Sequence, residues 1–395
     1  MVWLSVMMAA GLWAAPATHT VEMVDAATVE GTLTAVTADK VELQSKDAKQ
    51  SLPREQVVRI TLAEADDPTA RLGKAMVMTL DGAQLAADSV TMDQGTLTAA
   101  VAGVGSVQLP IAQVKAVYLP DAGTTVQDIR LKCEEFKIVA GAQDVLVAVK
   151  KDGGYVSVQG AVKAIDAAQV TFNWKDTDRR SARDTVRAVL LGQTGAAAPA
   201  RAGGVVTLRN GSRLPWSSLT MDAKGLGLET AAFKRLTLDP AGVAEITFIS
   251  DRVTDLAELA PDAVEQHGLL GEGFKYRRGR SVAGGPLRMN KKTYASGLGL
   301  HSFTSLSYNL DGRYRRLAAL VGIDDAAAAA ADATLVVLGD DKPLGQPLRL
   351  RSAQPPQVLR VDLAGVKRLT IRVEFGQDKL DVGDHVDIVA ARLIK

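Results

Sequence analysis

Between Tyr294 and Asp325 the chain reads YASGLGLHSFTSLSYNLDGRYRRLAALVGIDD, an apolar–polar alternation punctuated by Gly297, Gly299, Asp311-Gly312 and a closing Asp324-Asp325. A period of two is that of a strand with one face on a core, and Gly and Asp-Gly mark tight turns. The run therefore predicts a meander of short strands with a hairpin at Asp311-Gly312. It contains none of the spacings that a nucleophile, a metal-bound water or a nucleotide phosphate requires.

A repeat organises the first 250 or so residues. Val57-Val58-Arg59-Ile60-Thr61-Leu62 lines up with segments starting at Val114, Val186 and Val243, all of the form V-x-x-[IV]-x-[LF]. Val57 and Val114 lie 57 positions apart, as do Val186 and Val243, while the middle spacing is 72. Upstream of each closing segment stand two period-2 runs joined by an Asp-containing turn, as in Leu33–Val36 followed by Val41–Leu43. Each unit then has about 45 to 55 residues of short strands, the size of a small SH3-like or Sm-like barrel. A unit of that size buries little apolar area alone, so neighbouring units are expected to share surfaces.

The expected organisation is residues 1–17 as a signal peptide, then small β repeats at 20–63, 74–120, 126–194 (with an insertion) and 204–250. A β-sandwich at 251–395 follows. Asp66–Gly73 and Gly195–Gly204 read as linkers. Val126, Ile129 and Phe136 recur at helical intervals and predict one short helix between Asp121 and Gln143.

The first residues, MVWLSVMMAAGLWAAPATHT, are too short an apolar stretch to span a bilayer and end in Ala15-Pro16-Ala17, an A-x-A cleavage pattern before Thr18. No Lys or Arg precedes the apolar stretch, a departure from the usual signal. The expectation is a secreted, periplasmic or cell-envelope protein without a membrane span. Cys133 is the single cysteine, which excludes an intramolecular disulfide and a multi-thiolate metal site and reads as a small core thiol. The 46 Lys and Arg against 45 Asp and Glu are interspersed. That balance gives no counterion-release drive towards nucleic acid and no polybasic membrane patch.

The last segment carries an ordered series of motifs. Asp251–Leu256 opens it, followed by Gly297-Leu298-Gly299-Leu300-His301, Tyr308–Tyr314, Val321-Gly322-Ile323-Asp324-Asp325 and Asp384-His385-Val386-Asp387. In that order they resemble the NPCBM family of carbohydrate-binding modules from end to end. The resemblance implies a galactose-binding-like jelly roll and a module found alone or attached to exported, often sugar-active, proteins. Such modules often have Trp after D-H-x-D, where this chain has Ile388. No Trp follows Trp216, and the Ala-rich tract 326–331 replaces a polar turn.

Sugar recognition in water needs an aromatic face for the C–H side of a pyranose and polar groups for its hydroxyls. The aromatics of the segment are Phe274, Tyr276, Tyr294, Phe303, Tyr308, Tyr314 and Phe375. Tyr308 and Tyr314 stand at strand spacing around Asp311-Gly312 and read as packing residues, whereas Tyr276 in a loop-like stretch is the best exposed candidate. The candidate carbohydrate contacts are Tyr276, Arg278, Tyr294, His301, Phe303, Asp324, Asp384 and His385. A buried polar contact with Asp324 or Asp384 accounts for His301 and His385 equally well. Asp324, Asp325, Asp384 and Asp387 are candidate ligands of a structural Ca²⁺, although no D-x-D-x-D-G loop is present and turns recruit Asp for their own backbone. No other cofactor is expected.

Walker A, G-x-S-x-G, H-E-x-x-H and Cys–His patterns are absent from the sequence. The chain therefore reads as an exported, non-catalytic binding protein whose C-terminal module recognises carbohydrate and whose repeats act as spacer or adaptor. The alternative is a cell-envelope structural or protein-interaction protein with an envelope-protein partner. A divergent glycoside hydrolase is the third reading, since paired carboxylates assemble in space rather than in sequence.

Overall fold

The computed structural model describes residues 18–45, 48–62, 74–192, 202–233, 235–268, 273–294, 296–327 and 329–395. The expected leader at 1–17, the linker 66–73 and most of the linker 195–204 lie outside the described residues. The chain is mainly β and divides into two compact units. One holds Glu30–Arg54 and Ile60–Thr247 together with residues up to Val21; the other holds Glu22–Val29, Glu55–Arg59 and Phe248–Lys395. Among the described residues no helix is long and apolar enough to cross a membrane.

In the first unit the closing segments at Val114–Tyr118 and Val186–Leu190 are strands, each entered through a single 3-10 turn, Ile111–Gln113 and Arg183–Thr185. The two strands pair with each other, Val117 opposite Val189. The expected helix forms at Val126–Glu135, where Thr125 and Asp128 make a capping box that satisfies free N–H groups of the first turn. Val126, Ile129 and Cys133 are buried on its sheet side. Phe136 falls on the C-cap and remains exposed, because the helix stops at Glu135, one residue before the apolar spacing does. Burial raises the pKa of the Cys133 thiol, as befits a core thiol rather than a nucleophile.

In the second unit two antiparallel sheets face each other across one core. The first has the order Arg277–Arg278, Gly297–Leu300, Val386–Ile394, Arg316–Ile323, Gln357–Asp362, with Val253–Asp255 also beside Val386–Ile394. The second has the order Ala263–Gln266, Thr304–Asn309, Arg368–Phe375, Asp332–Gly339, Lys342–Pro343, with Leu348–Arg351 also beside Asp332–Gly339. Side chains such as Leu298, Leu306, Tyr308, Leu335, Ile371 and Ile388 interleave between the sheets and are essentially sealed from water. Each contributes about 1.5–3 kcal/mol by leaving water. Ile388, at the position where such modules often have Trp, is fully buried in this core. The substitution therefore bears on packing and not on a ligand face.

The predicted meander is corrected here. Gly297–Leu300, Thr304–Asn309 and Arg316–Ile323 are strands, but they alternate between the two sheets instead of pairing with one another. Phe303 at φ 63° and Asp311-Gly312 at φ 51° and 69° swing the chain across the sandwich. The pairing partners are distant in sequence: Ser307 faces Thr370, and Leu317 faces Leu393. Local turn chemistry was visible in the sequence; the destination of the chain after each turn was not. Ala390 at φ 49° lies where the register between Arg316–Ile323 and Val386–Ile394 slips, so the hub strand carries a bulge.

The two glycines of the G-x-G-x-H motif have a steric reason. A Cβ on Gly299 would stand 2.5 Å from the Arg280 carbonyl oxygen and the Val282 nitrogen. One on Gly297 would stand 2.6 Å from the Ile388 carbonyl oxygen. Backbone lies against both positions, so no side chain fits.

Candidate functional site

The turn His301-Ser302-Phe303-Thr304 joins the two sheets; it is buried apart from Phe303, and the exposed ring of Phe274 lies over it. Two buried carboxylates hold the frame around it. Asp384, with no exposed surface, accepts a short hydrogen bond from the Ser302 hydroxyl and one from the Asp332 N–H at 3.1 Å. Burial raises its pKa to about 6 against the pull of those donors. Asp332 in turn is gripped by the Arg349 guanidinium and accepts the Gln377 N–H at 3.1 Å.

On this frame His301 is buried and His385 half-buried, with ring centroids 5.6 Å apart. Burial lowers both imidazole pKa values, with His385 adding to the effect on His301, so both rings are neutral near pH 7. Neither Nδ1 atom has a hydrogen-bond partner among the described residues. Phe274 lies over the pair, 4.6 Å from His301 and 5.5 Å from His385, and leaves 48% of its own surface exposed. Its segment is fixed from below: the Gln266 amide donates to the Phe274 carbonyl at 3.0 Å and reaches the Thr304 hydroxyl at 3.3 Å. Gly273 closes against the His267 carbonyl, where a Cβ would stand at 2.5 Å. Next to this group exposed His267 stacks on Phe303 at 4.8 Å, and Phe303 meets Phe375 edge-on at 5.3 Å.

The result is one exposed ring, Phe274, flanked by exposed His267 and half-buried Phe303 and Phe375, over two neutral imidazoles whose Nδ1 atoms are buried and unused. Rings of this kind can cover the C–H face of a sugar, and imidazole nitrogens can donate to or accept from its hydroxyls.

Of the sequence candidates, His301, Phe303 and His385 come together in this patch, and Asp384 supports it from behind. Tyr276, expected as the best exposed ring, is half-buried and packs against the core, because the chain enters a strand at Arg277; Phe274 takes the exposed place two residues earlier. Arg278 is exposed and its guanidinium donates to the Glu258 carbonyl at 3.5 Å. Tyr294 packs on a small separate core of Leu287, Met289 and Val389. Tyr308 and Tyr314 are buried in the main core, as their spacing suggested. Phe274, His267 and Phe375 were missed as site residues: they lie on three separate segments, and a lone aromatic in a loop gives no periodicity to read.

The acidic candidates serve another purpose. Asp324 and Asp387 are buried side by side, and the Arg288 N–H donates to both carboxyls at 3.1 Å. Burial first, and then the Asp324 carboxyl, push the Asp387 pKa up to about 9, so this carboxyl keeps its proton at neutral pH. Asp325 lies at the surface, 3.5 Å from the Arg288 guanidinium, and accepts the Lys291 N–H at 2.7 Å. A calcium site needs several ionised oxygens converging on one point. Asp387 keeping its proton and sharing one N–H with Asp324, with Asp384 committed to Ser302 and Asp332, does not fit that requirement. Among the described residues no group of three or more His, Cys, Asp or Glu is arranged to hold a metal.

Residues 253–394 match the NPCBM/NEW2 domain. The matched stretch makes up the larger part of the second unit. Over 90 residues the chain is 31% identical to a Renibacterium salmoninarum protein named "Putative endo-alpha-N-acetylgalactosaminidase", covering 23% of this chain and 6% of that protein's length. The chain is also similar to solved modules from Clostridium perfringens. The CBM51 of its GH95, in complex with methyl-galactose, is 21% identical with a TM-score of 0.32, covering 36% of this chain and 99% of that one. The CBM51-2 and INT domains of ZmpB, with GlcNAc, are 22% identical with a TM-score of 0.32, covering 43% of this chain and 36% of that one.

Proposed function

We propose that this chain is a non-catalytic carbohydrate-binding protein whose NPCBM/NEW2 domain takes a sugar on the patch of Phe274, His301 and His385. The observation that carries the reading is the exposed Phe274 ring set over two buried imidazoles whose Nδ1 atoms are unused. A buried polar atom without a partner costs about 1–3 kcal/mol, so the two covered Nδ1 atoms favour a rearrangement in which the Phe274 ring turns aside and a sugar hydroxyl reaches them. The bare Phe274 ring supplies stacking, and the exposed His267 imidazole nearby supplies an accessible hydrogen-bonding group. The non-catalytic part is supported by Asp324, Asp384 and Asp387 being buried and engaged by neighbours within the fold. Export is part of the proposal and is supported by the apolar leader; N-terminal sequencing of the mature protein should find Thr18 first.

Native electrophoresis of the full chain through gels cast with neutral polysaccharides tests the binding. Retardation by at least one of them, abolished in Phe274→Ala with the circular dichroism unchanged, is the expected result. Equal migration of the two proteins in every gel overturns the proposal.

A further inference from the structure

In the first unit the strands Gln169–Trp174 and Thr177–Ala182 form a hairpin, Trp174 opposite Thr177. Its turn is Lys175-Asp176, with φ 50° and 58°. At the tip Trp174 leaves 38% of its surface exposed, whereas Trp216 is buried to 4%. Two cations lie on the exposed indole: Lys175 Nζ is 4.8 Å and Arg179 Cζ 5.7 Å from the ring centroid. Neither cation has an ion pair or a hydrogen bond to any described residue. The nearby acids are engaged for the most part. Asp178 accepts the Asn173 amide at 2.7 Å, and Asp144 accepts the Val162 and Gly192 N–H groups at 2.8 Å each. Asp176 in the turn is exposed.

Beside the indole runs a cleft of about 820 Å³, with Gln143, Ser157, Gln159 and Asn173 among its walls. Gly160 borders it, and a Cβ there would stand 2.1 Å from the Asn173 carbonyl oxygen and 2.7 Å from the Phe172 ring. The two strands therefore lie too close at this point for a side chain. An exposed indole, two unpaired cations and a row of side-chain amides and a hydroxyl converge at this end of the hairpin.

We propose that this hairpin is a second glycan-binding surface, specific for a chain of carboxylated pyranoses. The C–H face of the ring covers Trp174, the carboxylate pairs with Lys175 and Arg179, and the hydroxyls reach the amides of the cleft. A neutral sugar leaves both cations unpaired, which is why the acidic class is favoured. The surface lies in the first unit and does not depend on the Phe274 patch.

Native electrophoresis of the full chain in gels containing polygalacturonate, a neutral galactan or no polymer tests the proposal, with a fluorescent single-stranded oligonucleotide as a separate arm. Polygalacturonate should retard the wild type, and the apparent affinity should fall at least about tenfold in Trp174→Ala and in the Lys175→Ala/Arg179→Ala double variant. Trp174→Phe, which keeps a flat ring, should hold most of the binding. Unretarded wild type, equal retardation of Trp174→Ala, or tighter binding of the oligonucleotide than of polygalacturonate overturns it.

Discussion

Replacing Asp387 by asparagine tests the energetics of the sandwich, because this carboxyl is buried on the hub strand Val386–Ile394 and carries its proton to about pH 9. In an unfolded chain the same group ionises near about pH 4. The folded state therefore binds the extra proton everywhere between those values. The stability it contributes is fully present below the unfolded value, falls as pH rises, and stops falling above the folded one. The slope is about 1.4 kcal/mol per pH unit.

Asp384, raised to about 6, adds to the fall only at lower pH. His301 and His385, both lowered by burial, act in the opposite sense and only below the ordinary histidine value. Between about pH 7 and about pH 8.5 the wild-type domain should therefore lose about 2 kcal/mol through Asp387. Asparagine keeps an oxygen for the Arg288 N–H and offers its own N–H to Asp324, as the protonated acid does. The variant should match the wild type at low pH and be more stable at the alkaline end. Urea unfolding of the full chain, read by pulse proteolysis of the C-terminal domain at both pH values, measures this. A wild type equally stable at both, or an Asp387→Asn variant that loses as much, refutes the assignment of the proton.

Three further outcomes follow from the packing. Gly299→Ala drives a methyl group into the backbone of Arg280 and Val282 and should cost about 2–4 kcal/mol, seen as a lower urea midpoint of the domain. Tyr308 has its hydroxyl buried without a partner, and burial raises its pKa strongly, so Tyr308→Phe should be neutral or up to about 1 kcal/mol stabilising by the same measurement. Within the second unit the buried Arg392 guanidinium donates to the Met23 carbonyl at 2.9 Å and to the Glu22 carboxylate. Glu22→Gln should destabilise that unit by about 3 kcal/mol, with Glu22→Asp recovering part of the loss.

The sequence was most legible where the physics is local. Period-2 alternation located the strands around Leu298, Leu306 and Leu317, and helical spacing located Val126–Glu135 with Cys133 on its buried side. Glycines at 297 and 299 signalled close backbone approach, and the motif order around them pointed to the family that residues 253–394 match. Pairing was not legible, since whether the chain after Asp311-Gly312 returns to its own sheet depends on contacts with Arg368–Phe375 and Val386–Ile394 far downstream. The site was half legible for the same reason. His301 and His385 stood out as histidines in strand-like runs, but Phe274 could not be preferred to Tyr276 without knowing which ring the core absorbs. The acids were read as ligands, while the fold uses Asp324 and Asp387 as a proton-holding pair and Asp384 as a brace for Ser302.

Histidine side-chain NMR of the full chain tests the central claim most directly. With four histidines at 19, 267, 301 and 385, single His→Gln variants assign each imidazole signal, and titration with short neutral oligosaccharides follows them. The account predicts saturable shifts of His301 and His385, lost in Phe274→Ala, while His19 stays fixed. Binding that moves His19 alone, or sugar concentrations in the millimolar range that move no imidazole, would contradict it.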